Sequence, residues 1–374
     1  MVTYQLISSD SHIIEPADLW QERIDRPFRD RAPRLVHEAE ADQWYADGVK
    51  FGAIGINQQA GVRFETPERL TLQGRMITVP RGGFDPHAHV QDMDRDTVAG
   101  GVLYPSQGLT TYRIPDSTLL SAIFRAYNDW LADFCHPYPH RLKGVAMLNV
   151  DDVQDAVGEL QRAATMGLAG EMIPLRPLEH RYDHPRYDPL WAAAQNLAMP
   201  LSLHTGTRRW RPGADGADPT LVDIVERTNK EHDVRIALAA IIFAGVFERY
   251  PRLKVGAVEF EVAWAPYFLA RMDNRYTEQA IGVHGRRFKG GAVPSDFFRQ
   301  NIFLSFQEDA IGIQLRSLLG VETLLWGSDY PHAESTFPHS RAIVERILGG
   351  VPEEERAQIA GGNTARLYHF AAVT

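Results

Sequence analysis

Cysteine is almost absent from the chain. Cys135 stands alone, which excludes an intramolecular disulfide and any zinc site built from thiolates. Long apolar runs are missing too. None approaches the about 18 residues that a membrane span requires, so no membrane partner is expected. Concentrated basic charge is also lacking: 39 lysines and arginines face 48 acidic residues, for a net charge of −9. Nothing in that distribution follows a phosphate backbone, which argues against nucleic acid and against an anionic membrane surface. No Gly-x-Gly-x-x-Gly turn follows an apolar run, which counts against a dinucleotide-binding doubly wound sheet. Internal repeats and low-complexity tracts are not found. The opening Met1-Val2-Thr3-Tyr4 has no basic stretch leading into an apolar core, so no signal peptide is expected and a cytoplasmic, reduced setting follows.

What is present is ordinary in bulk and specific in detail. With 374 residues, 44% apolar and 23% charged, the chain can bury a full core. From Gly100 onward, short apolar runs alternate with stretches of helical spacing. Strands are expected at Gly101–Pro105, Leu142–Leu148, Leu168–Ile173, Pro200–His204, Leu253–Glu259, Ile302–Ser305 and Thr323–Gly327, in addition to one at the N-terminus. Helices are expected over 116–135, 151–166 (capped by Asp151), 187–198, 218–231, 234–249, 264–279, 308–319 and from about 338 onward. Continuous apolar strands buried on both faces, eight in number and separated by helices, predict an α/β fold, a (β/α)8 TIM barrel. Residues 17–97 show no clear alternation and are expected to form a lid or cap inserted after the first strand. The whole of 1–374 then reads as one domain.

In such a barrel, chemistry sits at the C-terminal ends of the strands. The N-terminal run Leu6-Ile7-Ser8-Ser9-Asp10-Ser11-His12 places Asp10 and His12 on one side of an extended segment. Taken in order, the strand ends carry Asp10 and His12 at the first, His204 at the fifth, Glu259 at the sixth and Asp329 at the eighth. Such residues are costly to bury unless paired or bound to a cation, so the joint pattern points to a divalent metal site.

The segments Asp10-Ser11-His12-Ile13-Ile14-Glu15-Pro16, Leu203-His204-Thr205-Gly206 and Trp326-Gly327-Ser328-Asp329-Tyr330-Pro331-His332 resemble the amidohydrolase superfamily. Within it they most resemble the amidohydrolase-related branch that includes aminocarboxymuconate semialdehyde decarboxylase and resorcylate decarboxylase. The resemblance runs from Tyr4 to about His369. It implies a metal-bearing barrel in which Asp10, His12, His204 and Asp329 match the ligands of strands one, five and eight. One departure stands out: where decarboxylases of the branch carry a catalytic histidine after strand six, this chain has Glu259. If that strand continues, Glu259 and Glu261 share a face. Glu259 then reads as a further ligand, and Glu261 as a base or a group supporting the ligands. Five ligands exceed the needs of one tetrahedral ion. One or two ions of Zn, Fe or Mn are therefore expected.

Other residues carry open alternatives. His332 reads as a general acid/base or as a brace on Asp329, and Glu308 as an acid of a helix N-terminus. His87 and His89 have ligand spacing but no rigid frame before them, so a surface or lid role is expected. Arg208, Arg209 and Arg211 either steer an acidic substrate or form a solvated face. Trp20, Trp44, Trp210 and Trp264 line a pocket or fill the core; Arg208, Trp210 and Trp264 are the substrate-binding candidates.

The leading expectation is a metal-dependent hydrolase in which a metal-bound hydroxide attacks an ester, thioester, amide or lactone. Asp329 would orient or deprotonate that water, and Glu261 or His332 would shuttle the proton. Non-oxidative decarboxylation of a small aromatic or unsaturated acid is the alternative. Oxygen activation at a dinuclear iron or manganese centre is a third, and a metal-free scaffold the non-enzymatic one. A small-molecule substrate and a homodimer are expected as partners, since barrels of this size often pair.

Overall fold

The structure, a computed structural model, describes residues 4–55, 59–209, 224–278 and 287–371. Strand β1 (Leu6–Ile13) is followed by a separate antiparallel sheet of β2 (Arg34–His37), β3 (Asp42–Ala46) and β4 (Val49–Ala53). The remaining strands are β5 (Val98–Pro105), β6 (Leu142–Met147), β7 (Gly170–Ile173), β8 (Leu201–His204), β9 (Val255–Val258), β10 (Ile302–Phe306) and β11 (Leu324–Trp326). Eight of them form one sheet in the order β1-β5-β6-β7-β8-β9-β10-β11, and every ladder is parallel. With helices between successive strands, this is a (β/α)8 barrel. Strands β7 to β11 are buried along their whole length, as expected when one face meets the barrel interior and the other the helix layer.

The barrel closes between β1 and β11 without a regular ladder. Backbone bonds from Asp329 N–H to the Asp10 carbonyl (2.8 Å) and from His12 N–H to the Tyr330 carbonyl (2.6 Å) join the two ends. Serine hydroxyls complete the seam. Ser9 Oγ donates to the Trp326 carbonyl at 3.0 Å, and Ser8 Oγ accepts from Ser328 N–H at 2.9 Å. A hydroxyl can both donate and accept, so it satisfies backbone groups that a ladder would otherwise pair. Against β5, the step from Ser8 to Ser11 matches only Gly101 to Leu103. Strand β1 therefore carries one extra residue at Ser9–Asp10, a bulge that re-aims the side chains there.

Several expectations need correction. The Val153–Thr165 helix is capped by Asp152, which accepts from the amides of Gln154 and Asp155; Asp151 is engaged elsewhere. The stretch 234–249 divides into Glu231–Phe243 and Val246–Arg249 at Gly245, whose φ of 66° is left-handed. The stretch 308–319 divides likewise into Ala310–Gln314 and Arg316–Leu319. Of the expected 218–231 helix, Ile224–Thr228 is seen, and 218–223 lies outside the described residues.

Residues 17–97 are more ordered than their weak pattern implies. Besides the β2–β4 sheet they hold the helix Pro86–Arg95, capped by Asp85. His87 and His89 thus do have a rigid frame, but they point apart. His89 is buried with Nδ1 on the Gly82 carbonyl at 2.7 Å, while His87 Nδ1 pairs with the Tyr138 hydroxyl at 2.9 Å. Trp20 and Trp44 are core residues, packed edge to face at 5.5 Å. Among the described residues no helix is long and apolar enough to cross a membrane.

Candidate metal centre

Four strand ends deliver one polar cluster. Asp10 and His12 come from β1, His204 ends β8, Glu259 follows β9 and Asp329 follows β11. His12 Nε2 lies 3.4 Å from Asp10 Oδ1 and 3.3 Å from Asp329 Oδ1. His204 Nε2 lies 3.5 Å from Asp10 Oδ1 and 3.5 Å from Glu259 Oε2. Ligand atoms of Asp10, His12, His204 and Glu259 fall within 4.8 Å of one another, as do those of His12, Asp329 and His332. The structure thus brings together all five sequence candidates for metal ligation, with His332 beside them.

The hydrogen bonding of the imidazoles fits a cation. His12 Nδ1 is held by the Pro105 carbonyl at 2.8 Å and His204 Nδ1 by the Thr205 carbonyl at 3.0 Å. A carbonyl only accepts, so each Nδ1 carries the proton, which leaves an Nε2 lone pair facing the cluster when the ring is neutral. Both Nε2 atoms and both Asp10 carboxylate oxygens are buried without a hydrogen-bond partner. While the rings are neutral, lone pairs and carboxylates face each other without donors and repel, and a divalent ion resolves that conflict. The residues therefore fit such an ion, and the mixed carboxylate and imidazole donors suit Mn, Fe or Zn.

The electrostatics carry the same tension. Burial alone would raise the Asp10 carboxyl, but His12 and His204 hold it below the usual carboxylate range. Burial would lower His204, yet Asp10 and Glu259 lift it to about 9. Burial raises Asp329 to about 7, and burial together with the Asp329 charge raises Glu259. His332 is pushed down to about 4 by burial. Its Nδ1 lies 2.8 Å from Asp329 Oδ1, and its Nε2 lies 3.0 Å from Ser106 Oγ.

Backbone strain gathers at the same place. Glu259, Glu261 and Asp329 all have left-handed φ values, of 66°, 53° and 58°. Non-glycine residues rarely adopt them, at a cost of about 1–3 kcal/mol each. Here lies the reason the expectation of a shared Glu259–Glu261 face fails: the strand stops at Val258, and alternation ends with it. Glu261 turns aside, with Oε2 on the Gln307 amide at 3.2 Å, and burial and the Asp309 charge raise its carboxyl.

Above the cluster opens a cavity of about 630 Å3. Glu259, Asp329 and His332 form its floor, and Ser106, Arg113, Arg208 and Lys230 stand among its walls. Arg208 pairs with Asp233 and lies 3.8 Å from Glu226. Trp264 is not part of the lining; its indole donates to the carbonyls of Phe260 (3.1 Å) and Glu261 (3.0 Å). Trp210 and Arg211 lie outside the described residues. Arg209 belongs to no solvated face: it is buried against Asp151. Among the described residues, none of the lining comes from 17–97. Instead that segment braces the loop after β11: Arg63 bonds the Ser335 carbonyl at 2.9 Å and pairs with Glu308, while the Tyr330 hydroxyl donates to Asp92 at 2.5 Å.

Two residues of this region escaped the sequence reading. Ser106 follows a strand ended by proline, where no acid or histidine drew attention. Glu15 was visible in the first motif but had no assigned role. Its buried carboxylate accepts from the amides of Gln107 and Gly108, both at 2.8 Å, and so ties the β1 end to the β5 end. Burial pushes it up to about 7.

A family model described as amidohydrolase matches residues 84–370. The chain belongs to the amidohydrolase family. A gamma-resorcylate decarboxylase from a Polaromonas species is 25% identical to this amidohydrolase over 272 residues, covering 68% of this chain and 78% of that protein. Among solved structures, an amidohydrolase from Mycobacterium avium subsp. paratuberculosis K-10 superposes with a TM-score of 0.78 at 19% identity, covering 98% of both chains. A 5-carboxyvanillate decarboxylase from Novosphingobium aromaticivorans, complexed with manganese and a nitrobenzoic acid, gives a TM-score of 0.68 at 19% identity over 98% of this chain and 97% of that one. The fold is common to this chain and both solved structures.

Proposed function

We propose that this amidohydrolase is a metal-dependent, non-oxidative decarboxylase of a small aromatic acid. The observation that carries the reading is the set of buried ligand atoms without hydrogen-bond partners, opening onto a cavity whose walls hold Arg113, Arg208 and Lys230 beside Glu226 and Glu334. The named decarboxylase relative supports it over acyl hydrolysis. Asp10, His12 and His204 would hold a divalent ion, with Glu259 and Asp329 at its edge. Such an ion would act as a Lewis acid that anchors an acidic oxygen of the substrate and draws charge from its ring. Arg113 and Lys230 steer the anionic substrate inward, while Arg208 is held by Asp233. As the bond between ring carbon and carboxylate breaks, its electron pair stays on the carbon and CO2 leaves. Asp329, on the cavity floor, delivers the proton that replaces it. His332, neutral through burial, passes its Nδ1 proton to that carboxylate while its Nε2 takes one from the Ser106 hydroxyl, which regains its own from solvent in the cavity. Glu261 faces Gln307 and has no part in this transfer.

Hydrolysis of an acyl bond is the second reading, favoured by Glu259 at the end of β9, where the resembling decarboxylases carry histidine. Purified protein loaded with Mn2+ and given 2,6-dihydroxybenzoate or 5-carboxyvanillate tests the choice. CO2 release that falls about 100-fold or more in Asp329→Asn is expected. Turnover of aryl esters or lactones with no CO2 from any hydroxybenzoate would replace decarboxylation with hydrolysis.

A further inference from the structure

The opposite end of the barrel holds a second cavity, of about 320 Å3. It lies where β8 to β11 begin: Pro200 precedes β8, Lys254 precedes β9, and Ile302 opens β10. Its floor is apolar, with Met199, Phe303 and Leu325 largely buried. Its rim is not. Arg252, Lys254, Arg299 and Arg366 line it, against the single carboxylate of Glu322.

Among the described residues these four cations have no acidic partner. None lies within 4.0 Å of a carboxylate oxygen among the described residues, whereas about half of the arginines do pair. Their hydrogen bonds go to neutral groups. Arg299 donates to the Leu318 carbonyl (3.1 Å) and to Ser295 Oγ (3.1 Å), Arg366 to Asn363 Oδ1 (3.3 Å), and Lys254 to the Gln300 carbonyl. Burial and the neighbouring Arg366 charge lower the Lys254 ammonium. Four cations with one carboxylate among them repel one another, in a chain whose net charge is −9. An anion that enters relieves the repulsion, and the apolar floor selects one with a flat, apolar body.

We propose that this cavity is a second ligand site, remote from the metal centre, for a small anion carrying an aromatic or similarly apolar body. A nucleoside phosphate and an aryl carboxylate share that chemistry. The site stands whichever reaction the metal centre performs.

The full-length protein is titrated with 1-anilinonaphthalene-8-sulfonate, a fluorescent aryl sulfonate of the required shape and charge. Saturable binding is expected, weakened about tenfold or more in the Arg299→Glu/Arg366→Glu double variant. Lys254→Gln, a milder change, should weaken it in the same direction. Arg227 lines the mouth cavity instead and pairs there with Glu334, so Arg227→Ala should leave binding unchanged. Displacement by AMP points to a phosphate source, and displacement by 1-naphthoate to a carboxylate source. Unaltered binding in both basal variants, or loss of binding in Arg227→Ala, would place the reporter elsewhere and overturn the proposal. Displacement by inorganic pyrophosphate as effective as by AMP or naphthoate would also overturn it, since the apolar floor would then contribute nothing.

Discussion

Replacing Arg209 by Met should destabilise the protein far more than a loop arginine normally would. The side chain is wholly buried, and Asp151 beside it is nearly so. Its Nε contacts both Asp151 oxygens, at 3.2 and 3.1 Å, and its Nη2 contacts Oδ2 at 2.5 Å. Nη1 donates to the carbonyls of Tyr112 (2.6 Å) and Ile114 (2.5 Å). One guanidinium therefore joins the segments that follow β5, β6 and β8. Methionine preserves the stem but leaves a buried carboxylate without a counter-charge and two carbonyls without donors. Breaking a buried pair from one side costs about 3–5 kcal/mol, and an unsatisfied carbonyl adds about 1 kcal/mol where water cannot enter. With two such carbonyls, a loss of about 5–7 kcal/mol is expected. Asp151→Asn keeps an acceptor and should cost about 2 kcal/mol. The double variant should cost less than the sum, because neither partner is then left as a lone charge, which gives a coupling of about 2 kcal/mol. Urea unfolding of the four proteins, followed by tryptophan fluorescence and far-UV circular dichroism, measures the cycle. A cost below about 1 kcal/mol for Arg209→Met, or strict additivity, would refute the reasoning, since a solvated arginine behaves that way.

Three further outcomes are expected. Gly327→Ala would put a Cβ 2.6 Å from Asp10 Cβ and 3.0 Å from Ser305 Oγ. Displacement of Asp10 should weaken metal binding about 10- to 100-fold, measured by metal content after dialysis against graded Mn2+. Glu15 titrates near 7 in the folded protein and near 4.5 when unfolded; the folded state then holds the extra proton between those values, so stability falls as pH rises through that window. Glu15→Gln should abolish that component, about 3 kcal/mol, in paired urea titrations at pH 5 and pH 8. Mn2+ at 100 times its Kd should add about 2.7 kcal/mol of stability, and His204→Ala should remove the gain in a melting experiment.

Much of the candidate site was readable because its residues end strands. Runs such as Pro200-Leu201-Ser202-Leu203-His204 are apolar up to one abrupt polar residue, and a parallel strand buried on both faces admits no other pattern. The β2–β4 sheet was not readable, because its strands are partly exposed and short, so neither a continuous apolar run nor clean alternation appears. Glu259 and Glu261 show the limit of periodicity: alternation holds only while the backbone is extended, and here it turns left-handed at both residues.

By itself the sequence determined the barrel, the ends that carry chemistry and the residue types found there, because burial demands are written locally along each strand. Tertiary structure alone decided which groups meet. The β1 bulge at Ser9–Asp10, the serine-closed seam and the carbonyls of Pro105 and Thr205 orient Asp10, His12 and His204 toward one point. The burial of Arg209 and the gathering of unpaired cations at the far end were settled in the same way. Each depends on atoms brought close by the closing of the barrel, and no local pattern of residues encodes such long-range proximity.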